Sequence, residues 1–166
     1  MEESEIFKDL VLKGFEIFNG FYKIGNYGTL ISNSRAYTRL YRNGTVTTNT
    51  TKESIHKPRC SQKCPLLFSE LYAIITDEKG EKIKVLKTVY IHRLVAEHFV
   101  EKPKDRGKDK VTHIDHTQPQ NNYYKNVMWT DQPFLSKRSM ITHPHNRDNL
   151  KRANIKSGYY DSLRKK

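Results

Sequence analysis

The sequence predicts an α+β protein, and three observations carry that prediction. In the first half of the chain apolar and polar residues alternate on both sides of glycine-containing turns, the signature of antiparallel hairpins. From Ile91 the apolar period changes: Ile91, Leu94, Val95, His98 and Phe99 fall at i, i+3, i+4, i+7 and i+8, the stripe of a helix. After Ser136, nine basic residues stand against two acidic ones, the composition of an arm rather than of a core. The expected organisation is therefore N-terminal antiparallel β hairpins over residues 1–84, a small domain over 85–140 that opens on the connecting helix, and a basic C-terminal extension over 141–166.

The elements follow in order. Tyr22-Lys23-Ile24, the turn Asn26-Tyr27-Gly28 and Thr29-Leu30-Ile31 form a first hairpin, with glycine relieving the turn sterically. Ala36 to Arg42 alternates, meets Asn43-Gly44 and continues through Thr45-Val46-Thr47, which predicts a hairpin closed by a type I′ turn. The Thr-rich run Thr45 to Thr51 reads as strand or strand plus loop. Leu66 to Thr76 and the stretch from Ile83 to Ile91 are two strands joined by the polar turn Asp77 to Gly80. The helix from Ile91 is expected to run until Pro103 stops it. A charged loop, Lys102 to Lys110, leads into a short strand at Val111 to Asp115. A loop over Gln118 to Asn122, a second short strand at Val127-Met128-Trp129 and a helix from Gln132 complete the domain. The basic tail is expected to be an arm or small helical appendage, partly disordered without its partner.

Composition bounds the function. At 166 residues the chain is about one domain. With 36% hydrophobic and 29% charged residues, its core should be modest. The net charge of +12 is lopsided: residues 1–83 carry twelve basic and ten acidic side chains, residues 84–166 eighteen and eight. A polyanionic partner is therefore expected for the second half. No stretch approaches the ~20 apolar residues that span a bilayer, and the N-terminal Met1-Glu2-Glu3-Ser4-Glu5 is acidic where a signal peptide is basic, so a soluble, intracellular (cytoplasmic) protein with no membrane partner is expected. Cys60 and Cys64 cannot build a disulfide framework. Their C-x3-C spacing, with His56 four residues earlier, lacks the second Cys/His cluster that structural zinc needs.

Two pieces carry the chemistry: His92-Arg93-Leu94-Val95-Ala96-x-x-Phe99 on the helix, and Val111-Thr112-His113-Ile114-Asp115 followed by Asn121-Asn122 and Asn126-Val127-Met128-Trp129. In these the chain resembles the HNH homing endonucleases of phage and intron type, whose pattern runs H-R-L-V-A-x-x-F, V-[ND]-H-x-D, N-N, N-L-x-W. Upstream, Gly14-Phe15 and Phe21-Tyr22-Lys23-Ile24-Gly25-Asn26-Tyr27-Gly28-Thr29-Leu30-Ile31-Ser32 look like the DNA-binding module that often precedes such nucleases. The resemblance spans roughly residues 7–140 and implies a ββα, His-Me-finger-like core. It also implies one divalent cation, Mg²⁺ or Mn²⁺, and a duplex DNA substrate. In this family such a metal neutralises the scissile phosphate while a histidine of near-neutral pKa takes a proton from the attacking water. It implies His113 as the general base and Asn126 as the residue that holds the histidine loop and orients the ring.

Two positions depart from the pattern. Thr112 stands where the family has Asp or Asn, and Leu135 where it has Asn or His, nine residues after Asn126. Mg²⁺ prefers hard oxygen ligands, so a threonine hydroxyl is a weak substitute and a leucine none. Asp115, His116 or Asp131 are the stand-ins available, with Asp115 expected on the same strand face as His113, two residues away. The two functional expectations are a metal-dependent nicking endonuclease and a lapsed HNH scaffold kept for nucleic-acid binding or as part of an assembly. An RNA-associated basic protein is a third, because positive charge alone does not distinguish nucleic acids.

For binding, Arg39 and Arg42 on the Asn43-Gly44 hairpin, with Arg35 at its start, either follow a phosphate backbone or line a solvated edge. Lys137, Arg138, Lys151 and Arg152 are phosphate-neutralising candidates in and before the tail. His92 and His98 are expected to pack or hydrogen-bond in the core, and His143-Pro144-His145 to be an exposed loop. Phe99 and Trp129 are expected to anchor the core. Tyr123-Tyr124 beside Lys125 either stack on bases or plug the hairpin.

Overall fold

In chain order the strands are β1 (Phe7–Asp9), β2 (Tyr22–Gly25), β3 (Leu30–Ser32), β4 (Arg35–Leu40), β5 (Val46–Thr51), β6 (Ser54–Ile55), β7 (Arg59–Ser61), β8 (Cys64–Thr76) and β9 (Lys82–Tyr90). Then come helix α1 (Ile91–Phe99), β10 (Lys110–His113), β11 (Val127–Thr130) and helix α2 (Gln132–Thr142). They come from a computed structural model that describes residues 4–61, 64–76, 80–105 and 107–142. The architecture is α+β, and all the strand pairings with a defined register are antiparallel. Four sheets result, ordered β1-β2-β3-β6, β4-β5, β7-β8-β9 and β10-β11. Lys151, Arg152, the His143-Pro144-His145 motif and the rest of the basic tail lie outside the described residues. No helix among the described residues is long and apolar enough to cross a membrane.

Both predicted glycine turns form, and both take one geometry. At Asn43-Gly44, the Gly44 N–H donates to Tyr41 C=O and Tyr41 N–H to Thr45 C=O, each at 2.9 Å. Gly44 has φ +80°, whereas no non-glycine residue among those described has positive φ. The turn is therefore a type I turn closed by a left-handed glycine, not the expected type I′, which needs positive φ at Asn43 as well. The first hairpin repeats the pattern: Gly28 N–H donates to Gly25 C=O at 2.9 Å, Gly25 N–H to Thr29 C=O at 2.8 Å, and Gly28 has φ +94°.

The helical period at Ile91 holds, and Ile91, Leu94, Val95 and Ala96 are buried while Arg93 and Glu97 face water. α1 ends at Phe99, four residues before Pro103. Val100 has already turned to extended backbone at the C-cap, and the ring Nδ1 of His98 lies 2.8 Å from the Leu94 carbonyl, within the last turn of the helix. Strand β10 stops at His113 rather than at Asp115.

The core joins what the sequence suggested were separate pieces. Leu10, Phe18, Tyr22, Ile24 and Leu30 from the N-terminal segment pack in one cluster with Leu71, Ala73 and Val89 of the β8-β9 ribbon, the α1 stripe and Val127 of β11. Among the described residues the compact units are 4–104 together with Val111–Trp129, and Asp105–Lys110 with 130–142. The expected border at residues 84 and 85 runs through the first unit. Phe99 and Trp129 pack against the cluster, as expected, and Trp129 Nε1 donates to Val100 C=O at 3.2 Å. Tyr22, fully buried, ties two sheets together: its hydroxyl donates to Tyr72 C=O and accepts from Tyr72 N–H, both at 3.0 Å. A Tyr22→Phe change leaves both backbone groups without that partner and is expected to cost about 1–2 kcal/mol in urea unfolding.

Candidate functional site

The β10-β11 hairpin presents His113 at the last position of its first strand, with a long loop between the strands. The loop is closed by Ile114 N–H donating to Asn126 C=O at 2.7 Å. The Asn126 carboxamide then bonds across the loop: Oδ1 accepts from Asp115 N–H and Nδ2 donates to Asn121 C=O, both at 2.9 Å. One side chain thus fixes both ends of the segment 115–121, the loop-holding role that the sequence assigns to Asn126.

The ring of His113 is held by a different residue. His113 is 4% exposed, and its Nε2 lies 3.2 Å from Asn122 Oδ1. Asn122 Nδ2 donates to Gln120 C=O at 3.0 Å, which fixes the amide orientation and makes Oδ1 the group facing the ring. With Oδ1 as the acceptor, Nε2 is the nitrogen that carries a proton in this contact. Asn122 is absent from the residues given a role on sequence grounds; the second asparagine of the N-N pair is the signal that marked its position.

His92 on α1 packs beside this ring, with centroids 5.0 Å apart and planes tilted by 44°. It is buried, and its Nδ1 has no hydrogen-bond partner. Burial, reinforced by the neighbouring His113 and Arg93, lowers its pKa to about 4, so its imidazole is neutral at physiological pH. His98 is satisfied as expected: besides the contact of Nδ1 with Leu94, its Nε2 accepts from Val11 N–H at 3.1 Å.

The donors proposed for a metal have other employment. Asp115 has left the strand, and its Oδ1 accepts from Thr117 N–H at 2.9 Å and Thr117 Oγ1 at 2.6 Å, while Oδ2 accepts from Gln118 Nε2 at 3.0 Å. These bonds, the Thr117 hydroxyl first, hold its carboxyl below the usual carboxylate range. The carboxylate closes a turn, and its expected place on the strand face of His113 is not realised. Asp131 caps α2, its Oδ1 accepting from Phe134 N–H at 2.7 Å. Thr112 is half-buried and offers a neutral hydroxyl, and His116 is exposed. Among the described residues no group of three His, Cys, Asp or Glu side chains is placed to hold a metal ion. These residues do not fit the oxygen ligand set that Mg²⁺ or Mn²⁺ requires. Cys60 is a free, exposed thiol.

No family model, curated protein or solved structure matches this chain.

The basic candidates are scattered. Arg35 lies over three rings, 4.8 Å from the centroid of Phe21, 5.0 Å from Tyr72 and 5.7 Å from Tyr22, so it packs on aromatic faces. The backbone of Arg39 pairs with Thr47 in β4-β5, whereas Arg42 is exposed in the turn beyond the strand. Arg42 therefore does not continue the strand alternation expected of it. Lys137 is exposed and Arg138 half-buried on α2. Tyr123 stacks on Tyr27, centroids 4.6 Å apart and planes 21° apart, and meets Tyr124 edge-on at 5.0 Å. Tyr124 also packs against the core cluster.

Proposed function

We propose that the chain is a DNA-binding protein of the HNH homing-endonuclease type in which His113 is the base acting on a phosphodiester. One observation carries this reading: a histidine at the end of a short strand, with Asn122 Oδ1 3.2 Å from its ring Nε2 and its loop held by Asn126. A general base needs this kind of fixed orientation. The excess of basic residues after position 83 supports a polyanionic partner, since each Lys or Arg can neutralise a phosphate and release a counterion. A second reading, a scaffold whose cutting has lapsed while binding remains, is favoured by Thr112, by Leu135 and by the carboxylates of Asp115 and Asp131 being committed to a turn and a helix cap.

Supercoiled plasmid with Mg²⁺ or Mn²⁺ separates the two readings. Nicking by the wild type that disappears in His113→Ala supports the enzyme. Nicking gained only in a Thr112→Asp, Leu135→Asn protein supports the lapsed scaffold. No nicking by either protein, combined with a mobility shift that does not weaken as salt is raised, overturns the proposal as a whole.

A further inference from the structure

We propose that the N-terminal β2-β3 turn positions the candidate base, with Gly28 as the contact through which it does so. The proposal rests on the reading of His113 as that base and adds a residue to its support.

The turn lies directly against the segment that holds His113. Tyr124 N–H donates to Asn26 C=O at 2.9 Å, and Tyr27 stacks on Tyr123. Asn26 is itself fixed from below: its Oδ1 accepts from Ile6 N–H at 2.8 Å and its N–H donates to Ile6 C=O at 3.0 Å. Between these anchors, Gly28 sits so close to Asn122 that a Cβ on it would stand 2.7 Å from Asn122 Cβ and 2.9 Å from Ile91 Cγ2. Those distances are below any ordinary carbon contact, so only glycine allows the approach. Asn122 is thereby wedged between the turn and the His113 ring, with its amide oxygen 3.2 Å from Nε2. A glycine of the β2-β3 turn thus abuts the residue that faces the ring of His113.

The second hairpin turn supplies a control. Gly44 has the same turn hydrogen bonds and a similar φ, +80° against +94°, but a Cβ there would meet nothing within 4 Å. Gly28→Ala and Gly44→Ala therefore share the backbone strain and differ in the contact.

The test is the tautomer of His113 in the uniformly ¹⁵N-labelled full chain, read from the ring nitrogen shifts at a pH where the imidazole is neutral. Wild type and Gly44→Ala are expected to show the Nε2-protonated form. Gly28→Ala is expected to relax the tautomer ratio by roughly threefold to tenfold, the effect of losing one ordinary hydrogen bond, and to match Asn122→Ala. Tyr27→Ala, a change at an exposed position, loosens the same turn from Tyr123 and is expected to move the ratio the same way by about twofold. That variant decides the matter if Gly28→Ala does not fold. A wild-type ratio in folded Gly28→Ala, or in Tyr27→Ala where Gly28→Ala fails to fold, overturns the proposal, as does an equal shift in Gly44→Ala. Because no DNA is present, the result stands apart from whether the protein nicks plasmid.

Discussion

Lowering the pH from 6.5 to 4 is expected to remove about 3 kcal/mol of stability through His92 alone. The folded protein keeps this imidazole neutral, because it is buried and its neighbours His113 and Arg93 oppose a further positive charge. The unfolded chain accepts the proton near pH 6.5. Stability is therefore fully present above the unfolded pKa and declines as pH falls toward the folded one. The check is urea unfolding at a series of pH values for the wild type and His92→Leu, whose difference should grow smaller or reverse as the pH falls. His56, whose pKa is also lowered by burial and by Arg35, adds a slope of the same sign in both proteins and drops out of the comparison. Parallel curves for the two proteins would show that His92 does not titrate differently on folding.

Asn126→Ala is expected to cost about 2–4 kcal/mol, because it removes two loop-spanning hydrogen bonds and leaves Asp115 N–H and Asn121 C=O to find new partners. The damage is local before it is global. Amide exchange at Ile114 and Asp115 should accelerate more than exchange in α1. Asn126→Asp keeps the acceptor for Asp115 and loses the donor to Asn121, so its stability should fall between the wild type and the alanine variant. If Asn126→Asp were as damaging as Asn126→Ala, the Asp115 bond would contribute nothing measurable. These outcomes do not depend on nuclease activity, and they bear on whether the loop around His113 is held as the geometry indicates.

How much of this was legible in the sequence depended on how local each cause is. The α1 stripe was readable because 3.6-residue periodicity is a property of a few consecutive turns, and Leu94, Val95 and Ile91 all fall inward. The glycine turns were readable as turns, but the backbone angles of Asn43 decide between type I and type I′, and the dipeptide is compatible with both. β1 was not readable. Phe7, Lys8 and Asp9 are all exposed and show no alternation, and they are a strand only because they pair with Gly25, Ile24 and Lys23 along the edge of β2. The helix was expected to reach Pro103, yet Val100 turns extended at the cap before the proline could act.

The same division runs through the candidate site. His113 and Asn126 were marked by short motif pieces in the order of the family they resemble, and the Asn126 side chain bonds to both ends of the loop. Gly28 and His92 were not assigned these roles because their importance lies in contacts between residues far apart in the chain, and Asn122 because its side chain's partner on the His113 ring shows only in the folded loop. Asp115 was a reasonable oxygen donor by chemistry alone. Only the hydrogen bonds from Thr117 and Gln118 reveal that its carboxylate is spent on a turn.

Tyr90 closes β9 and Ile91 opens α1, so strand and helix are consecutive residues with no linker between them. An added or deleted residue at that junction has nowhere to be absorbed. It would spin the helix by about 100° about its axis, sending Leu94 and Val95 toward solvent and Arg93 inward. Lys102–Asp105, which carries no helix or strand, would take the same insertion at little cost. Variation in chain length among proteins built on this plan should therefore accumulate after the helix and be purged before it.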